Sequence, residues 1–175
     1  MAKKDNIILI GLPGAGKSTL GIVAAKILNY SFVDADLLIQ EQTDKTLQMI
    51  IDAMGPEGFI QVENEVLKQI ERHHSIIATG GSAVYSEEAM EHLKSIGTVV
   101  QLKITYEELE RRLGDLDERG VVLRNGKVVD LHQLYDERTP LYDRYADYTI
   151  DVSDISVRKA ARGLVKMLRD NGCLE

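Results

Sequence analysis

Gly11, Gly16, Lys17 and Ser18 stand at the spacing G-x-x-x-x-G-K-[ST], inside the run GLPGAGKST that ends at Thr19. This combination is suited to holding a phosphate chain. Glycines lack a Cβ, so backbone N–H groups can converge on an anion. A helix starting just after them turns its positive dipole end to the same point. Gly14, Ala15, Gly16 and Thr19 belong to that cradle. Lys17 would reach the β- and γ-phosphates of a nucleoside triphosphate, and the Ser18 hydroxyl would coordinate Mg²⁺. The plain alternative is a glycine-rich turn that happens to carry a lysine. An apolar strand before the loop and a helix after it supply the context the motif needs. The loop alone does not separate a kinase from an NTPase or a switch.

Three further groups of residues could add chemistry. FVDAD sets Asp34 and Asp36 at the end of a second strand. Two apart in an extended segment, they would point to one side. One carboxylate could hold a Mg²⁺-bound water and the other could take the proton of an attacking hydroxyl; equally, both could simply cap a helix. ATGGS places Gly80, Gly81 and Ser82 after the third strand, where adjacent glycines permit close approach of a substrate or merely make a turn. Arg112, Arg119, Arg124 and Arg138 are either solvated charges or cations for a transferring phosphoryl group.

The elements that must position these residues follow from pattern. Apolar runs at 6–10, 30–34, 75–79, 97–103 and 147–151 read as strands, the first as a buried parallel one. A helix is expected from Lys17 or Ser18 to about Leu28. The stretch 37–72 is mostly helical, with Val62, Val66, Leu67 and Ile70 on one stripe and a turn at Gly55, Pro56 and Gly58. Ser86 is placed to cap a helix carrying Ala89, Met90 and Leu93 inward, and Thr105 with Glu108 forms a capping box. Residues 114–128, charged and with three glycines, read as a mobile loop. A helix over 130–145 follows. The last helix sets Val157, Ala161, Leu164, Val165 and Leu168 on one face, with Gly172 as its stop. Alternating strands and helices predict an α/β fold with a parallel sheet covered on both faces.

The whole chain bounds this reading. At 175 residues it is expected to form a single domain, 1–175. A net charge of −7 disfavours a broad nucleic-acid surface. There is no membrane-length apolar run, and the lone Cys173 cannot form an internal disulfide. A cytoplasmic protein, expected to be a monomer, with no nucleic-acid or membrane partner is the expectation.

Together the motifs resemble the shikimate kinase family of small P-loop kinases. The resemblance covers GLPGAGKST, FVDAD, the GPEGFIQVE segment from Gly55 to Glu63, ATGGS, a lid over 114–128 with Arg119, and ERTPLY with Arg138. It implies a three-layer, nucleoside-kinase-like P-loop fold with five parallel strands in the order 2-3-1-4-5. It also implies ATP and Mg²⁺ as cofactors and a hydroxylated small molecule as acceptor. By the resemblance Lys17, Ser18 and the loop would serve ATP, and Ser18 with Asp34 the metal. Asp36 would bind the acceptor hydroxyl and act as base. Arg119 would close over the phosphates and Arg112 would lie against adenine. Phe59, Glu63, Gly80, Gly81, Ser82 and Arg138 would form the acceptor site, with Arg138 on the acceptor's carboxylate.

Two positions depart from the family pattern, both toward the acceptor. Ile60 follows Phe59 where the family has an arginine that grips the shikimate carboxylate, and Ser82 stands where it has a third glycine. Loss of one charge-assisted contact costs roughly 1.5–3 kcal/mol. Either shikimate is held by the remaining cation, or the acceptor is another hydroxylated metabolite without that carboxylate. A non-catalytic nucleotide-binding regulator and a nucleoside monophosphate kinase are the further alternatives.

Overall fold

The computed structural model describes residues 4–113 and 130–174. Arg119, Arg124 and the whole 114–128 segment therefore lie outside the described residues. The five strands are β1 (Asn6–Ile10), β2 (Ser31–Asp34), β3 (Ser75–Ala78), β4 (Gly97–Lys103) and β5 (Tyr148–Asp151). They form one parallel sheet in the order β2-β3-β1-β4-β5. The helices are α1 (Lys17–Leu28), α2 (Ala35–Thr43), α3 (Leu47–Lys68), α4 (Glu87–Ile96), α5 (Tyr106–Leu113), α6 (Leu131–Tyr145) and α7 (Val157–Asp170), with a short 3₁₀ turn at Ala83–Tyr85.

Strand order and handedness together fix the layers. The chain leaves β1 for β2 on one side of the sheet and later crosses from β3 to β4 in the opposite sense. Right-handed crossovers then put α1 and α4 on opposite faces. α1 packs against α7, while α4 packs against α3, β4 and β1. The central strand β1 is buried at every residue, as expected of a strand covered on both faces, whereas β2 and β5 at the sheet's ends are half-covered. Ala89, Met90 and Leu93 of α4 are fully buried; burial of each larger side chain contributes about 1.5–3 kcal/mol.

Local departures from the sequence reading have local causes. The helical run 37–72 is divided into α2 and α3, and α3 is itself interrupted at the turn expected at Gly55, Pro56 and Gly58. Gly55 alone leaves helical geometry (φ 72°), and Pro56 opens the second half, where no upstream carbonyl needs its missing N–H. Ser86 occupies the N-cap of α4 but makes no side-chain capping bond; Glu87 and Glu88 in the first turn complement the dipole instead. Only half of the expected capping box forms. Thr105 Oγ1 accepts from the Glu108 N–H at 3.3 Å, while the Glu108 carboxylate turns to Arg111 and Arg112. Val157, expected on the inner face of α7, is 40% exposed because it opens the first turn, ahead of the buried Ala160, Ala161, Leu164, Val165 and Leu168.

Candidate active site

The phosphate loop joins the C-terminal end of β1 to α1. Gly14 and Gly16 take left-handed conformations (φ 81° and 91°), and Gly16 is the N-cap of α1. A Cβ on Gly14 would stand 2.8 Å from the Leu113 side chain, so the end of α5 is packed onto the loop. Lys17 is 8% exposed. Its Nζ donates to the Gly11 and Leu12 carbonyls at 2.7 and 2.9 Å. Burial, reinforced by the Arg138 guanidinium, pushes the ammonium down to about 8, against the pull of Asp36, Asp34 and Glu63. Ala15 is buried, so only its backbone can serve a ligand, whereas Thr19 lines the cavity.

Asp34 caps a helix and also reaches the phosphate loop. Oδ1 caps α2, accepting from the N–H groups of Asp36 (3.0 Å) and Leu37 (3.4 Å), and Oδ2 accepts from Ser18 Oγ at 2.7 Å. The premise that Asp34 and Asp36 share an extended segment does not hold. Asp34 ends β2 and Asp36 lies in the first turn of α2. Asp36 nonetheless lines the cavity. Burial and then the nearby Asp34 raise its carboxyl above the usual range, with Lys17 opposing.

One cavity of about 590 Å³ joins the two halves of the site. The loop residues Gly14, Gly16, Lys17, Ser18 and Thr19 line one end, and Asp36, Phe59, Gly80, Gly81, Ser82 and Arg138 the other. Among its described lining residues the cations are Lys17, Arg112 and Arg138; Ile60 is half-buried and is not part of the wall.

Arg138 is only 2% exposed, so the reading of a solvated surface charge fails for it. Its Nε donates to Tyr85 Oη at 3.3 Å, and its guanidinium carbon lies 5.3 Å from the centre of that ring. A Cβ on Gly81 would stand 2.8 Å from Arg138 Nη1, so the glycine is what lets the guanidinium reach the cavity wall. Tyr142, one turn after Arg138, donates its hydroxyl to the Gly81 carbonyl at 2.7 Å. Burial raises the Tyr142 hydroxyl above its usual value, which keeps it a donor.

Glu63 is brought to the site but stands behind the wall. It is 0% exposed, and a Cβ on Gly80 would meet Glu63 Oε2 at 2.7 Å and Asp36 Oδ1 at 2.9 Å. Ser82 Oγ donates to Glu63 Oε1 at 2.7 Å. Burial pushes the Glu63 carboxyl up to about 7, with Ser82 pulling it down and Asp36 adding to the rise.

At the nucleotide end, Arg112 Nε donates to Glu108 Oε1 at 2.7 Å, Nη2 to the Val152 carbonyl at 3.1 Å, and Nη1 weakly to the Gly14 and Ala15 carbonyls at 3.3 and 3.4 Å. Glu108 is held down to about 2 by its hydrogen bonds to Arg111 and Arg112.

This layout has close counterparts. The shikimate kinase family matches over residues 13–169. The shikimate kinase of Vibrio parahaemolyticus is 39% identical over 171 residues, covering 97% of this chain and 99% of its own. The chain belongs to the shikimate kinase family. It is accordingly a phosphotransferase with an alcohol as acceptor, and the family's activity implies use of ATP. Among solved structures, the shikimate kinase from Acinetobacter baumannii in complex with shikimate superposes with a TM-score of 0.86 at 31% identity, covering 97% of this chain and 95% of its own. That from Aquifex aeolicus gives 0.82 at 30% identity, covering 95% and 98%.

Several residues in and around this cavity carry little or no sequence signal. Glu108 is visible only as part of a capping box, Pro13 and Tyr142 lie inside GLPGAGKST and ERTPLY without a role of their own, and Leu47 and Leu113 belong to no motif. The i, i+4 spacing of Arg138 and Tyr142 on α6 is a further signal, since it places both on one helix face.

Proposed function

We propose that this chain transfers the γ-phosphoryl group of ATP to a ring hydroxyl of shikimate. The observation that carries the reading is the single cavity in which the phosphate loop faces Asp36, Gly80, Gly81 and the buried Arg138.

The loop's backbone N–H groups and the start of α1 would hold the phosphate chain, with Lys17 placing its ammonium at the same end. Ser18 Oγ and Asp34 Oδ2, 2.7 Å apart, offer the hard oxygen donors that suit Mg²⁺. Among the described residues no cluster of three or more His, Cys, Asp or Glu could hold a metal ion, which fits an ion bound by one or two side chains together with substrate phosphates. When bound, that ion would neutralise charge on the β- and γ-phosphates. Asp36 takes the proton of the attacking hydroxyl as the new O–P bond forms and the bond from the γ-phosphorus to the bridging oxygen breaks. Its raised carboxyl is a stronger base than an exposed one. Arg138 pairs with the acceptor's carboxylate, so the cation lost at Ile60 is not needed to keep that contact.

We place this activity in one domain that works as a cytoplasmic monomer. No helix among the described residues is long and apolar enough to cross a membrane, and a lone cysteine leaves no disulfide to protect. Mass spectrometry of a mixture of the protein, Mg-ATP and shikimate tests the function. A monophosphorylated shikimate together with ADP supports it; ADP without a phosphorylated acceptor overturns it.

A further inference from the structure

The three residues after β3 and Thr79 present three different chemistries to the acceptor end of the cavity. Gly80 abuts Asp36, Gly81 abuts Arg138, and Ser82 brings a hydroxyl of its own. Ser82 is 5% exposed, lines the cavity and donates to Glu63 Oε1 at 2.7 Å. Glu63 is fully buried, and its second oxygen, Oε2, has no hydrogen-bond partner among the described residues. A serine has one proton to give and two lone pairs to receive with. With its proton committed to Glu63, Ser82 Oγ can only accept from whatever occupies the cavity.

We propose that Ser82, oriented by Glu63, is a specificity determinant that accepts a hydrogen bond from an acceptor hydroxyl other than the one phosphorylated. The inference rests on the reading of this cavity as a shikimate site. The order along the chain supports the assignment. Asp36 beside Gly80 takes the reacting hydroxyl, Arg138 beside Gly81 takes the carboxylate, and Ser82 is left to address a further hydroxyl of the same ring. It also gives the serine that replaces a glycine a task besides filling space. Above about 7 the Glu63 carboxylate is ionised and has no proton to return, so the direction of the Ser82 bond is set. A site that hydrogen-bonds a substrate hydroxyl discriminates against analogues lacking it, because its own polar group is then left unpaired.

The test is steady-state kinetics above that pH with shikimate and with analogues that each lack one ring hydroxyl. Wild type, Ser82→Ala, Ser82→Gly and Glu63→Gln are compared. Both Ser82 variants should raise the KM for shikimate roughly tenfold without a matching rise in the KM for ATP. With one particular analogue, wild type and variants should become alike. Glu63→Gln can donate to Ser82 and free its proton, and should shift the same KM for the same hydroxyl. Ser82→Gly adds no bulk and so guards against a folding artefact. An unchanged shikimate KM in both Ser82 variants, or an equal loss with every analogue, overturns the proposal and leaves Ser82 a packing residue. Wild type without shikimate-dependent ADP release overturns the functional reading and this inference with it. An active wild type with indifferent Ser82 variants overturns this inference alone.

Discussion

At the scale of single residues, Glu63 sets the sharpest physical expectation. Its carboxyl is raised from an ordinary 4.5 to about 7 by burial, so folding favours its neutral form. The stability this contributes is fully present below 4.5 and is lost as pH rises through about 7. The loss amounts to roughly 3 kcal/mol. Urea unfolding of wild type on both sides of that window should show the decline, and Glu63→Gln should flatten it; parallel wild-type and mutant curves would contradict the assignment. Gly80 and Gly81, which abut Asp36, Glu63 and Arg138, gain a site role only through the family resemblance, whereas Lys17 and Ser18 are legible from motif spacing alone, because each acts within its own loop. Tyr142 and Arg112 are poorly legible for the opposite reason. Tyr142 bonds to Gly81 across 61 residues of chain and Arg112 to Gly14 across 98, distances over which a local pattern carries no information.

At the scale of elements, the loops after β1 and β3 work only because particular positions lack a Cβ. Gly11 sits at φ 149°, and a Cβ there would stand 2.7 Å from the Leu102 carbonyl oxygen on the neighbouring β4. That oxygen belongs to the backbone of the sheet and has little room to yield. Gly11→Ala should therefore destabilise the fold by about 1–3 kcal/mol, read as a lower Tm. Gly81→Ala meets a different neighbour, the Arg138 guanidinium at 2.8 Å, with Pro13 at 3.0 Å. It should keep a near-native circular dichroism spectrum while raising the KM for the acceptor about tenfold through displacement of a charge-assisted contact. The reverse pattern, a soft Gly11 and a Gly81 variant with normal acceptor KM, would contradict this division. The junction of β2 and α2 shows where pattern reasoning falls short. Asp34 and Asp36 do share a site, but because Asp34 Oδ1 caps the helix that carries Asp36, not because an extended strand points both one way.

At the scale of the molecule, the parallel sheet in the order β2-β3-β1-β4-β5 gathers the loop after β1, the end of β2 and the turn after β3 at one edge. Ligands of open α/β folds bind there, outside the carboxyl ends of the strands. The alternation of strands and helices makes the parallel α/β architecture readable from the sequence, the strand order follows from the family resemblance, and the glycines and proline at 55–58 mark the interruption of α3; the division between α2 and α3 is not readable, because it turns on Asp44, a non-glycine residue in a left-handed conformation. A protein of net charge −7 can bind two anionic ligands because the local cations Lys17 and Arg138 are buried beside the cavity, where water screens them little. Each ligand at a hundred times its Kd should add about 2.7 kcal/mol of stability. That corresponds to a rise in Tm of roughly 5–10 °C. Thermal unfolding of Lys17→Ala should lose the shift produced by Mg-ATP and keep the shift produced by shikimate; loss of both would mean that the variant is damaged beyond the nucleotide end.

Asp36 and the phosphate loop line one cavity, and the most direct measurement of the transfer proposed between them follows ADP release against shikimate concentration. Wild type and Asp36→Asn are compared at saturating Mg-ATP. Wild-type turnover should rise with shikimate and saturate, and Asp36→Asn should have a kcat lower by about 10²–10⁴-fold. ADP release that ignores shikimate, or an Asp36→Asn variant as fast as wild type, would contradict it.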